Sequence, residues 1–278
     1  MTPLVLGLVL LAAAMHAGWN AMLRSGVDRV WSIVVMSLAT TAISLPLLLV
    51  VPFPAPASWP YLGLAVCCHM GYSCFLIAAY REGEFGQVYP IARGTAPMLV
   101  TLAAAIVAGE RLAWATVLGI ALVSLGICSL ARPEGAAWKR SAILNAFVTG
   151  LFIAAYTVVD GLGARLAGNA LSYSTTLFLL YGAAIPLLLL MPGRAASPRL
   201  ASREGAKALG GGLVSLVAYG LVIWAVTLSP MGPVSALRET SVVFATLIAR
   251  FFLRERLTFR RLGASVVIAA GAICLGFA

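Results

Sequence analysis

Apolar runs alternate along this chain with short polar breaks. A helix that crosses a bilayer needs about 20 predominantly apolar residues. Ten runs have or approach that length: 3–23, 31–51, 60–80, 87–108, 114–131, 141–160, 171–191, 207–228, 233–253 and 260–277. The breaks between them are mostly short; the longest, from Pro192 to Ala206, holds Pro198 and several Arg. No polar stretch is large enough for a soluble domain. The pattern predicts an all-α polytopic membrane protein with ten transmembrane helices.

The runs are not independent of one another. Laid over the chain at a shift of 145 positions, Arg93–Leu130 meets Arg238–Leu275 without a gap. Arg93 falls on Arg238, Thr95 on Thr240, Thr101-Leu102 on Thr246-Leu247 and Ala104 on Ala249. Glu110-Arg111-Leu112 falls on Glu255-Arg256-Leu257, Gly126 on Gly271 and Leu130 on Leu275. Leu and Ala coincide easily between apolar segments; a deep Arg and a charged tripeptide in register do not. Earlier spans match too: Trp19 falls on Tyr156 and Gly26 on Gly163, and Pro46 and Pro52 fall on Pro186 and Pro192. Such self-similarity defines the architecture: one five-helix repeat over residues 1–138 and another over 139–278. Five is odd, so the second copy enters the membrane from the opposite side. Two inverted five-helix repeats are a common plan of secondary transporters. The first run carries Ala12-Ala13-Ala14, as a cleavable signal might, but it lacks a basic leader and has its own counterpart, so it counts as a span.

Composition agrees with this. Hydrophobic residues make up 62% of the chain and charged residues 10%, with mean hydropathy +1.00, where a soluble domain carries about a quarter charged residues. The net charge of +10 resides in short loops between apolar runs, which points to the bilayer surface and not to nucleic acid. The loops after spans 1, 3, 5, 7 and 9 hold fifteen Lys and Arg with their flanks; the other loops hold only Arg111 and Arg165. By the positive-inside bias, the odd loops face the cytoplasm and both termini lie outside, in the periplasm of a bacterial-type inner membrane. The five cysteines lie inside apolar runs without zinc or disulfide spacing. No cofactor or metal is expected.

Ten helices in two fused halves, with Gly109-Glu110-Arg111-Leu112 after span 4 and Arg254-Glu255-Arg256-Leu257 after span 9, resemble the drug/metabolite transporter superfamily, specifically its EamA-domain family. The resemblance covers essentially the whole chain. It implies transport of small metabolites, often amino acids or other organic solutes, across the inner membrane. It does not extend to the small multidrug exporters, whose first helix carries a membrane-embedded Glu; span 1 here has no acid.

Several residues are candidates for substrate contact. His16, Trp19 and Asn20 share one face of span 1, and His69, Tyr72 and Ser73 share one face of span 3. Polar groups on a lipid face are costly, so these faces turn to a pathway or to neighbouring helices. Gly71-Tyr72-Ser73-Cys74 has a distant likeness to a serine-protease nucleophile, but no other part of such a site is present, and no enzyme is expected. Arg93, one turn after Tyr89, and Arg238 are the most informative pair. Two readings are open for them. A long side chain snorkels to the interface, or a planar fork grips a carboxylate or phosphonate. Entering from opposite sides, the two would serve opposite faces of the membrane. Glu239 follows Arg238 where Gly94 follows Arg93, so the second half carries an extra acid. Pro90 and Pro97 in span 4, and Pro230 before span 9, can free backbone carbonyls for a ligand; Pro233, at the start of span 9, reads better as plain helix initiation. Tyr156 and Trp19, repeat counterparts, are expected at one central pathway with mid-span Tyr219; Asp160 reads as an interfacial charge near the end of its span. Spans 5 and 10 are apolar and Gly-bearing, suited to packing or dimerisation, though fused halves make a monomer sufficient.

The function these features support is secondary transport of a small-molecule substrate by alternating access, amino acids or other amphipathic carboxylates being favoured. A phosphonate or phosphorylated-solute carrier, a lipid-linked flippase, and an intramembrane enzyme or sensor are the alternatives.

Overall fold

The structure is a computed structural model and describes residues 1–23, 29–131, 139–190, 203–251 and 257–277. The described residues form α1 (Pro3–Leu23), α2 (Arg29–Leu47), α3 (Trp59–Glu82), α4 (Phe85–Val107), α5 (Trp114–Cys128), α6 (Arg140–Leu166), α7 (Ala170–Leu190), α8 (Arg203–Leu228), α9 (Met231–Arg238), α10 (Ser241–Phe251) and α11 (Phe259–Phe277). The ten predicted spans are present, the ninth being divided into α9 and α10. By length and composition α1, α3, α4, α6, α8 and α11 can each cross a membrane, and α2 and α5 carry shorter apolar stretches. Leu11, Ile106, Leu125, Leu213, Val266 and Ile273 are exposed, as on a surface whose solvent is lipid.

The inverted repeat is visible in which helices touch. Exchanging the halves maps α1 onto α6, α2 onto α7, α3 onto α8, α4 onto α9–α10 and α5 onto α11. Under that exchange the packing of α1 on α8 becomes that of α6 on α3, and α4 on α6 becomes α10 on α1. The α2–α7 and α5–α11 pairs map onto themselves, so they straddle the pseudo-two-fold axis. The small residues of spans 5 and 10 are used here. A Cβ on Gly271 would stand 2.8 Å from the Gly119 carbonyl oxygen, and one on Gly126 would stand 2.8 Å from the Ile268 side chain. The two helices therefore meet nearly backbone to backbone inside one chain.

Helix continuity differs from what the prolines suggest. Span 4, with Pro90 and Pro97, is one unbroken helix. Pro97 offers no N–H to the Arg93 carbonyl, one turn back, and the Thr101 hydroxyl donates to Pro97 O at 2.7 Å. Span 9 is interrupted instead at Glu239-Thr240, where neither residue is Pro or Gly. There the backbone tightens: Glu239 N–H bonds Ala236 O, and Thr240 N–H bonds Leu237 O, three residues back. A tightened turn inside a helix is a frequent site of hinges and of function.

The Glu-Arg-Leu element of the first half has a structural role. Gly109, at φ 65°, makes the left-handed turn that ends α4. Glu110 then accepts the Met231 N–H at the start of α9 (2.9 Å) and pairs with Arg165 of α6 (2.8 Å). Arg165 in turn donates to the carbonyls of Val226 and Ser229 at the end of α8. One carboxylate thus ties four helices at one membrane face. Its repeat counterparts Glu255 and Arg256 lie outside the described residues, as do Arg254, Gly26, Pro192, Trp138 and several loop basic residues used for orientation.

Candidate functional site

The helices place two buried polar clusters near the middle of the molecule. The first is built on the repeat-related arginines. Arg93 lies eight residues into α4, about 12 Å along the axis by helical rise. It is buried and does not snorkel: its Nε donates to Glu239 Oε2 at 2.8 Å. Arg238 ends α9, and its Nη2 donates to the other oxygen, Oε1, at 3.4 Å. In a continuous helix adjacent side chains diverge by about 100°; the tightened turn at Glu239 lets these neighbours meet. The sequence expectation that the two Arg serve opposite membrane faces is therefore corrected: both guanidinium groups converge on one carboxylate. Glu239 is 0% exposed, and the triad carries one net positive charge. Arg93 Nη2 and Arg238 Nε are buried donors with no hydrogen-bond partner. Such groups are uncommon in folded proteins and call for a ligand or water. Tyr89 stands one turn before Arg93 on the same helix, half-buried.

The second cluster is centred on Asp160. Helix α6 continues to Leu166, so Asp160 lies inside the helix and is 1% exposed, not at an interface. Three groups from three other helices donate to it: His69 Nε2 of α3 at 3.0 Å, the Tyr173 hydroxyl of α7 at 3.1 Å and the Tyr219 hydroxyl of α8 at 2.6 Å. His69 stacks on Tyr156 with ring centroids 4.1 Å apart and planes 16° apart. Tyr156 meets Tyr72 and Tyr219 edge-on at 5.7 and 6.0 Å. Ser73 bonds the His69 carbonyl and the Tyr181 hydroxyl, a fixed structural role and not that of a nucleophile.

The aromatic rings join the clusters. Tyr72 and Tyr156 are close enough to Arg93, and Tyr219 to Arg238, to feel the guanidinium charge. His16 is within range of both guanidinium groups. Its two partners on span 1 are placed differently. Asn20 donates to the His16 carbonyl of its own helix at 2.7 Å. Trp19 packs against the α2 and α8 residues Val35, Met36 and Ala208. Tyr156 belongs to a separate cluster with Cys68, Ala96 and Ile153, so these repeat counterparts sit in different surroundings. Among the described residues no group of His, Cys, Asp or Glu could hold a metal ion.

The sequence that folds into this inverted-repeat bundle matches a known family in both halves. The EamA-like transporter family model matches twice, over residues 3–132 and 140–277.

The chain belongs to the EamA-like transporter family.

This EamA chain is accordingly a multi-pass membrane transporter, and each copy of the family unit supplies one of the paired arginines. A protein of known crystal structure, with 18% sequence identity, superposes over 98% of this chain and 94% of its own, with a TM-score of 0.77; that likeness bears on the fold alone. Among curated proteins none matches the sequence significantly. Reading the sequence named Asp160 but took it for an interfacial charge, and it missed Tyr173 and Tyr181. The available signal for Asp160 was its spacing of one turn from Tyr156 on α6, which sets an acid on the face of a candidate aromatic.

Proposed function

We propose that this EamA-family chain carries a small solute bearing a carboxylate, an amino acid or another amphipathic carboxylate, by alternating access. The observation that carries the reading is the Arg93–Glu239–Arg238 triad, with its net positive charge and two buried donors left over. A guanidinium fork matches a carboxylate, and charge-assisted bonds of this kind contribute about 1.5–3 kcal/mol each. Tyr72, Tyr156 and Tyr219 offer ring surface to the apolar body of the solute. His69 supports this wall, and Tyr89 and His16 flank the arginines. A monoanion suits this site better than a phosphate or phosphonate dianion, because Glu239 already answers one of the two positive charges.

Substrate binding at the junction of the halves would change the populations of two arrangements related by rocking of the repeats. The tightened turn at Glu239-Thr240 gives α9 and α10 a point about which to move. We place the chain in a bacterial-type inner membrane with its odd loops cytoplasmic, on the asymmetry of loop charge.

The test is a thermal-shift screen of the purified protein against a metabolite library, followed by uptake of the stabilising solute into proteoliposomes. Arg93→Lys and Arg238→Lys keep the charge and lose the fork. Each is expected to weaken binding roughly ten- to a hundredfold, by about 1.5–3 kcal/mol. If both variants bind and transport like the parent at matched expression, the bidentate role is wrong.

A further inference from the structure

The charged side chains buried among the described residues balance. Arg93 and Arg238 oppose Glu239 and Asp160, and His69 is the remaining basic side chain of that buried set. A carboxylate docked at the two arginines adds one negative charge to an interior where uncompensated charge is costly. One proton restores neutrality, and the Asp160 cluster is built to take it.

Asp160 already accepts from three donors, of which the two tyrosine hydroxyls have given their only hydrogens. His69 differs. Its Nε2 is committed to Asp160 at 3.0 Å, and a proton added at its other ring nitrogen turns the contact of a carboxylate with a neutral ring into a buried ion pair. The face of His69 lies on Tyr156 at 4.1 Å, and an aromatic face favours a cation stacked on it. The ionisable groups around His69 and its partners Asp160 and Tyr156 are Cys68 and Tyr72 of α3, Tyr173 and Tyr181 of α7, and Tyr219 of α8, with Asp160 and Tyr156 themselves on α6. Arg93 of α4 lies within electrostatic reach of Tyr156. Asp160 is the one carboxylate in that set.

We propose that His69 and Asp160 form a proton site that loads together with an anion at Arg93 and Arg238, so that one monocarboxylate and one proton travel as a neutral pair. The proton joins a lone pair of the neutral imidazole from solvent on one side and returns to solvent on the other; no other bond changes. A zwitterionic amino acid brings its own positive charge and recruits no proton. The inference rests on the carboxylate reading of the arginine site.

The experiment is titration calorimetry of the purified full chain in detergent, in buffers of different ionisation heat, with two probes. Phenylpropanoate and phenylalanine share a ring and a carboxylate and differ by the ammonium group. Phenylpropanoate is expected to take up as much as one proton per anion bound, and phenylalanine none. By linkage, phenylpropanoate affinity weakens up to tenfold per pH unit as protons become scarce, while phenylalanine affinity stays level. In His69→Gln and in Asp160→Asn, each checked for a cooperative melting transition, the proton uptake is lost. Phenylpropanoate binding without proton uptake at any pH overturns the proposal. So does uptake that persists in His69→Gln and disappears in His16→Gln, which puts the proton on the other histidine. Phenylalanine binding without phenylpropanoate binding removes the anion and overturns it too. If neither probe gives heat or a thermal shift, the carboxylate reading of the site fails first, and the coupling falls with it.

Discussion

Replacing Glu239 with Gln is the most informative single perturbation of the central site. The change is nearly isosteric and removes one negative charge from a residue that is 0% exposed. Arg93 Nε at 2.8 Å and Arg238 Nη2 at 3.4 Å lose their shared carboxylate. The amide oxygen can still accept from one of them, and the amide nitrogen faces the other as a donor against a donor. Removing one partner of a buried pair costs about 3–5 kcal/mol, because the remaining charge is left uncompensated. Here two charges remain, with one bond partly kept, so the same range applies. At roughly 2–4 °C per kcal/mol for a chain of this size, the melting temperature of the detergent-purified protein falls by roughly 10 °C. An added carboxylate ligand should recover part of that loss, since it occupies the position of the missing charge, and its stabilising effect should exceed that on the parent. Circular dichroism melts with and without ligand measure both quantities. A variant that melts within about 2 °C of the parent would refute the view that Glu239 neutralises the two arginines.

Three further outcomes follow from other parts of the fold. Gly271→Ala sets a Cβ 2.8 Å from the Gly119 carbonyl oxygen and against Val123; backbone cannot yield as a side chain can, and a loss of about 1–3 kcal/mol is expected in a chemical or thermal melt. Glu110→Gln weakens a pair whose arginine is 32% exposed and a bond to the first N–H of α9, so a stability loss of only about 1 kcal/mol is expected by the same melt. A topology reporter fused after residue 278 should read as periplasmic and one placed near Ser197 as cytoplasmic; the reverse pattern would overturn the orientation.

The ten spans, their inverted duplication and the equivalent positions of Arg93 and Arg238 were legible because each is a local or repeated pattern. Apolar length marks a span, and an Arg at the same depth in both copies is visible without coordinates. The partners of those residues were not legible. Arg93 meets a carboxylate 146 positions away, and His69 meets one 91 positions away; no periodicity encodes such contacts. Span 4 keeps its helix with Pro90 and Pro97 inside, whereas span 9 tightens at Glu239-Thr240, where local propensity gives no warning. The ion triad lies at that turn, and the tertiary contact with Arg93 accompanies the local geometry. Asp160 read as an interfacial charge because its span was ended six residues early; three donors from α3, α7 and α8 show otherwise. Helix packing divides the face shared by His16, Trp19 and Asn20 between the arginine side and a contact with α2 and α8.

The one-sided position of Glu239 bears on direction. A rocker made of two identical inverted copies would have inward-open and outward-open forms of equal energy, because each is the other seen from the opposite side of the membrane. Gly94 and Glu239 occupy equivalent places in the two copies, and only the second copy bears the acid and the tightened turn. The degeneracy is therefore broken at the residue that holds both arginines. In the alternating access proposed above, a molecule without substrate would rest with a bias toward one side, and Glu239 is one buried charge that contributes to it.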